Sequence, residues 1–296
     1  GGLSYINGPE LSPTAYIPKL APTVTFASNT QNIVYSGAQA AISAPTVTLE
    51  GGVVLDPSPV ITYSYRIGNA GAFTEGLPID AGTYEVKAKV AGGNNYSAGE
   101  SSNTLTLTIT QAPLTVKPKI QHIEYGDSVS SEAGNVDCTG LKGNDKLTGC
   151  VISVSDDCVN IGTYSSALRV SDAKVTRDGK DVTGNYKIGY ETGTLYIDAA
   201  GCIDKTSQNQ SIAMGDGKFA PPSFVDKRGN AISGTVTYKY DNGYYSYDLL
   251  VNKLKGLGEG ATGNFTYTFK PDSQNYKVPA QGTISFTIVN IGFTIN

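Results

Sequence analysis

The sequence predicts an all-β chain: three tandem β-sandwiches arranged end to end as a rod. Three observations predict it. Thirty-five glycines and 14 prolines punctuate the whole length of 296 residues, interrupting helices everywhere. The apolar runs are short and alternate with polar residues, the period of a half-buried strand. A set of short motifs recurs at a spacing near 90 residues, too long for a solenoid repeat and right for an autonomous sandwich of about seven short strands.

Composition excludes several classes of partner. Charged residues make up 16%, and the net charge of −4 argues against a polyanion such as nucleic acid. No run approaches the roughly 18 consecutive apolar residues of a membrane span, so no membrane insertion is expected within this segment. The opening Gly1-Gly2-Leu3-Ser4 has no basic or apolar leader, and any signal peptide or anchor is expected outside it.

Taken in chain order, residues 1–20, with Pro9, Pro13 and Pro18, read as an extended lead-in whose prolines cannot donate to a central sheet. Asn-Tyr dipeptides at Asn95-Tyr96, Asn185-Tyr186 and Asn275-Tyr276 then mark three repeats, 90 residues apart. Each is followed by an alternating run: Asn103–Ile109, Gly193–Ile197 and Gly282–Ile288. Each is preceded by a related segment, opening Ala81-Gly-Thr-Tyr84, Ile161-Gly-Thr-Tyr164 and Thr262-Gly-Asn-Phe265. The predicted sandwiches span 21–111, 112–198 and 199–296, with junctions at Thr110–Pro113 and Asp198–Gly201 so tight that little bending is expected. Asp178-Gly179 and Asn242-Gly243 predict type I′ hairpins, because these residues accept positive φ. The stretch Asp248–Gly256 is expected to be a loop.

Glu124-Tyr-Gly-Asp127, Gly162-Thr-Tyr164, Gly184-Asn-Tyr186 and Gly193-Thr-Leu195 in the middle repeat resemble the signature of the MBG-type domain, a glycine-rich, mostly-β bacterial repeat. The outer two repeats are similar to bacterial Ig-like domains in general, so the three sandwiches are expected to be Ig-like. The resemblance spans nearly all the chain from about residue 21. It implies an extracellular, secreted or surface-anchored, adhesin-like protein in which this segment is a non-catalytic stalk. It carries over no catalytic residue and no cofactor.

The side chains that could carry chemistry are few. His122, the only histidine, lies in a strand-like segment without a Gly-x-Ser-x-Gly elbow, so it reads as a strand residue. Carboxylate pairs occur at Asp156/Asp157, Asp178/Asp181, Asp198/Asp204 and Asp241/Asp248. Of these, Asp198/Asp204 straddles a junction where a cation could stiffen the linker, but no calcium-loop pattern accompanies it. Cys138, Cys150, Cys158 and Cys202 are candidate disulfide partners. A simple hairpin centred on Asn144 would oppose Cys138 and Cys150, whereas a sandwich crossover would separate them and leave Cys138–Cys158 or free thiols; Cys202 could lock the second junction. Lysines such as Lys117 could enter an internal isopeptide bond, though no spacing identifies one.

Tyrosine is the compositional anomaly, with 19 Tyr against 8 Phe and no Trp. A two-residue turn at Asn242-Gly243 would set Tyr240 opposite Tyr245 and Tyr238 opposite Tyr247, with Tyr244 facing the other way. The four rings would line one face, as sandwich core or as a surface for a glycan or a host or cell-surface protein. Tyr63 and Tyr65 occupy matching positions in the first repeat, which favours core. The function expected is therefore a monomeric stalk or spacer, with a glycan- or protein-binding third repeat as the alternative.

Overall fold

The computed structural model describes residues 17–292; residues 1–16, which hold most of the expected lead-in, and 293–296 lie outside the described residues. The strands fall into three sets of like order. The first comprises β1 (Thr23–Thr25), β2 (Thr30–Val34), β3 (Thr46–Thr48), β4 (Ile61–Ile67), β5 (Thr74–Glu75), β6 (Gly82–Val90), β7 (Gly99–Glu100) and β8 (Leu105–Thr110). Its main sheet runs β2-β8-β6-β4-β5, with β7 on β6, while β1 pairs β3. The middle set comprises β9 (Ala112–Pro118), β10 (Gln121–Glu124), β11 (Val136–Thr139), β12 (Lys146–Val154), β13 (Gly162–Arg177), β14 (Lys180–Asp181), β15 (Tyr186–Tyr190) and β16 (Gly193–Asp198). These form the sheets β10-β16-β13-β12 and β11-β9-β15, with β14 on β13. The last set is β17 (Ile203–Asp204), β18 (Asn209–Ala213), β19 (Phe224–Val225), β20 (Gly234–Tyr240), β21 (Gly243–Tyr245), α1 (Tyr247–Leu254), β22 (Thr262–Pro271) and β23 (Gly282–Val289). Its sheet runs β18-β23-β22-β20-β21, and β17 pairs β19.

One wiring recurs in all three. An early strand pairs in parallel with the last strand, as β2 with β8, β10 with β16 and β18 with β23. That last strand pairs antiparallel with β6, β13 and β22 respectively. A parallel pair needs a crossover, so this order cannot arise from hairpins alone. The chain is all-β, and its sequence repeats correspond to repeats of topology.

Close backbone contacts group the chain into two compact units. Of the described residues, the first holds those up to Val116 with Cys138–Gly149 and Ala173–Gly189; the second holds Lys117–Asp137, Cys150–Asp172 and those from Tyr190 on. The core of the first unit follows from strand alternation: Tyr84, Val86, Ala88 and Val90 of β6 and Leu105, Leu107 and Ile109 of β8 are buried, with polar residues between them. The core of the second is richer in rings. Phe219, Phe224, Tyr238, Phe265, Tyr267, Phe269 and Phe286 pack with Ile212, Ile284 and Ile288.

Two local expectations are corrected. The segment after β21 is a helix, not a loop: Leu250 and Leu254, four residues apart, lie on one face and are buried against the core. Its first turn carries Asp248 and its last Lys253, which suits the helix dipole. The Asp178-Gly179 hairpin forms as expected, with Thr176 opposite Asp181 and φ values of 49° and 79° at the turn. The second hairpin turns one residue earlier than predicted, at Asp241 and Asn242 with φ of 45° and 61°, so Tyr240 faces Gly243 and Tyr238 faces Tyr245. Tyr247 then leaves the hairpin and starts α1.

Candidate functional site

The two-residue change of partner keeps Tyr238, Tyr240 and Tyr245 on one face, because strand side chains alternate with period two, and Tyr247 reaches the same core from the start of α1. Tyr238 is only 1% exposed and stands between Phe219 and Phe265, with ring centroids 5.4 and 5.8 Å away. Tyr240, Tyr245 and Tyr247 are half-buried against the same core. The Tyr247 hydroxyl donates to the Phe219 carbonyl at 2.7 Å. Burial first, and the neighbouring hydroxyls of Tyr247 and Tyr267 second, raise the Tyr238 hydroxyl above the usual tyrosine range. Tyr244 alone among the five presents its ring to solvent, 72% exposed, with the Lys239 ammonium 5.8 Å from its centroid.

His122 is exposed on β10, stacked at 4.3 Å on Tyr196, with Asp198 3.9 Å from Nδ1. Asp204 accepts from the Tyr267 hydroxyl at 2.6 Å and from the Thr206 amide at 2.8 Å. Burial would raise its pKa, but these hydrogen bonds outweigh it and hold the carboxyl below the usual range. Asp198 and Asp204 thus serve separate partners, and no cluster of three metal-ligating side chains occurs among the described residues. Asp181 caps the turn by accepting from the Thr183 amide, and Lys117 is exposed beside Glu191. Cys138 lies on β11 and Cys150 on β12, strands of different sheets, so the intervening segment is a crossover and not the simple hairpin considered above. Cys150, Cys158 and Cys202 are free thiols; the pairings considered are not formed.

The constellation that sequence reasoning missed sits where consecutive repeats meet. At the first junction Asn185, which is buried, accepts the Ala81 amide at 2.7 Å and donates to the Asp80 carboxylate at 2.8 Å. At the second, Asn275 accepts the Ile161 amide at 3.0 Å and meets the Asn160 side-chain oxygen at 2.9 Å. The asparagine of the Asn-Tyr dipeptide in each case closes on the two residues just before the Gly-Thr-Tyr motif of the repeat before it. The following tyrosine repeats the likeness: Tyr186 packs edge-on against Tyr35 at 5.4 Å and Tyr276 against Tyr125 at 5.5 Å, both at 81°. Tyr35 and Tyr125, also 90 residues apart, each directly follow the first strand of their main sheet. Their amides bond to the Thr110 and Asp198 carbonyls.

Each clamp adds its own charges. At the first, buried Asp145 accepts both the Tyr35 and Tyr186 hydroxyls, at 2.6 and 2.7 Å, and the Arg177 Nε at 2.8 Å. The Arg177 guanidinium lies 5.6 Å from the Tyr35 ring centre, a cation–π contact. Burial first, then the bond to Asp145, pushes the Tyr186 hydroxyl up to about 12. Gly37 and Gly143 meet backbone to backbone here, both with positive φ, leaving no room for a Cβ on Gly37. At the second clamp Lys227 reaches Asp127 at 2.6 Å and Glu124 at 3.8 Å, and Lys277 reaches Glu124 at 3.6 Å. The sequence signal was present in the 90-residue spacing of Tyr35/Tyr125 and of the Asn-Tyr pairs. It marked a period without saying what the side chains touch.

No protein family profile and no curated protein sequence matches the chain. Among solved structures it is similar to Drosophila N-cadherin EC1-4, at 11% identity and a TM-score of 0.29, over 93% of this chain and 76% of that one. The three N-terminal domains of the bacteriophage RB49 Highly Immunogenic Outer Capsid protein are similar at 13% identity and a TM-score of 0.24, over 92% and 100%. Yersinia pseudotuberculosis InvD is similar at 13% identity and 0.19, over 91% and 98%.

Proposed function

We propose that this chain is a non-catalytic extracellular spacer, part of a secreted or surface-anchored bacterial adhesin-like protein, in which sandwiches 21–111, 112–198 and 199–296 stack as a stiff rod. The observation that carries the reading is the recurrence of one clamp at 185/186 and again at 275/276. A tether meant to flex spends no side chains on fixing its neighbours. Here a buried asparagine and an edge-on tyrosine pair are used twice for that purpose, and each asparagine takes up a backbone amide of the repeat before. The MBG-type resemblance of the middle repeat supports the bacterial surface setting.

Small-angle scattering of the whole chain tests this. Three units of about 35–40 Å make a rod of roughly 100–120 Å, with a radius of gyration of about 30 Å; a single globule of this length has about 19 Å. A value near the globular figure overturns the rod.

A further inference from the structure

The second unit contains a cleft of ≈ 780 Å³ beside the second clamp, within the size range of small-molecule sites. Its floor is apolar. Ile123 pairs with Ile197, and Gln121 with Leu195, so Ile123, Ile197 and Leu195 share one face of β10 and β16; Ile152 and Val154 of β12 extend the floor. At the rim stand Tyr276, Asp127, Asp226 and Arg228.

The rim charges are not equivalent. Asp226 is occupied by the backbone amides of Arg228 and Asn230 and by the Asn230 side chain. Asp127 is held by Lys227, which also faces Glu124. Arg228 is the exception: its Nε lies 3.7 Å from Asp226 and its charge also acts on Asp127, but none of these rim hydrogen bonds uses its two terminal nitrogens. Gly126, at φ +83°, makes room for this guanidinium, since any Cβ there would collide with it. A planar cation with open donors above a hydrocarbon floor matches a carboxylate on an apolar body.

We propose that the cleft binds a small apolar carboxylate of the medium-chain fatty acid type, its chain on Ile123, Leu195 and Ile197 and its headgroup on Arg228. A ligand so placed touches both the sheet of the middle repeat and the loops of the third. The site is independent of the spacer reading and stands or falls separately.

The test is calorimetric titration of the whole chain with decanoate and, in parallel, with decyltrimethylammonium, both below micelle formation. Saturable one-site binding of decanoate is expected. Loss of a charge-assisted hydrogen bond should weaken it about tenfold or more in Arg228→Gln, and the cationic probe should bind at least as poorly. Ser128→Trp and Val129→Trp, two separate plugs on the cleft wall, should each abolish binding with the thermal midpoint checked in parallel. Absence of saturable binding, equal affinity for the two probes, unchanged affinity in Arg228→Gln, or binding that survives a folded plug variant overturns the proposal.

Discussion

Replacing the clamp asparagines one at a time separates a structural latch from incidental contact. In Asn185→Ala the Ala81 amide loses its acceptor and the Asp80 carboxylate loses a donor at 2.8 Å. A neutral hydrogen bond contributes about 1 kcal/mol net and one to a charged group about 1.5–3 kcal/mol, so with partial solvation the loss should be about 2–4 kcal/mol. In Asn275→Ala both lost partners, the Ile161 amide and the Asn160 side chain, are neutral, and about 1–2 kcal/mol is expected. The aspartate variants sharpen the contrast. Asn185→Asp keeps the bond from Ala81 but sets a second carboxylate against Asp80, so it should cost at least as much as alanine. Asn275→Asp faces an amide that can rotate to donate, so it should recover most of the loss. Urea denaturation of the whole chain, followed by tyrosine fluorescence and far-ultraviolet circular dichroism, reads all four. Losses below about 0.5 kcal/mol in both alanine variants, the range of ordinary surface changes, or equal behaviour of the two aspartate variants, would refute the clamp.

Asp145→Ala should cost about 3–5 kcal/mol in the same assay, because it strips the partner from a part-buried Arg177 and from two tyrosine hydroxyls; a loss under about 1 kcal/mol would show that the network is not needed. Tyr238→Ala should cost about 3–5 kcal/mol as a core cavity, whereas Tyr244→Ala should stay within about 0.5 kcal/mol; any glycan or protein binding by the third repeat should then be lost with Tyr244. Alkaline pH should unfold the chain. The Tyr186 hydroxyl shifts from 10.0 to about 12 on folding, so the folded state holds this proton more tightly than the unfolded chain. That stabilisation is fully present below the unfolded value and lost as pH rises through the window up to about 12, in the same direction as the raised Tyr238 and Tyr267. Denaturation midpoints and tyrosinate absorbance should move together there, and tyrosinate appearing without loss of structure would count against it.

The tyrosine hairpin shows where sequence reading succeeds and where it stops. Both Asp241-Asn242 and Asn242-Gly243 accept the backbone of a type I′ turn, so turn chemistry alone does not choose between them. The choice follows the pairing of β20 with both β21 and β22, which brackets Tyr238 between Tyr245 and Tyr267. The face survived the error because a shift of two residues preserves it. The helix α1 was missed because its eight residues hold only two buried apolar positions, too few to stand out from a loop until a core exists to cover.

Strand alternation, turn residues and the 90-residue period are properties of neighbours along the chain, so the all-β class, the hairpin at Asp178-Gly179 and the number of repeats are legible without coordinates. What an asparagine touches 104 residues away is not a local property. Asn185 and Asn275 are visible in the sequence as members of a repeat, and so are Tyr35 and Tyr125. Their conversion into clamps, the closure of Asp145 by two tyrosines and an arginine, and the open guanidinium of Arg228 over an apolar floor depend on which loops the folded sheets bring together. Long-range packing decides those juxtapositions, because sequence spacing constrains side-chain meetings only within a helix turn, a hairpin or a strand.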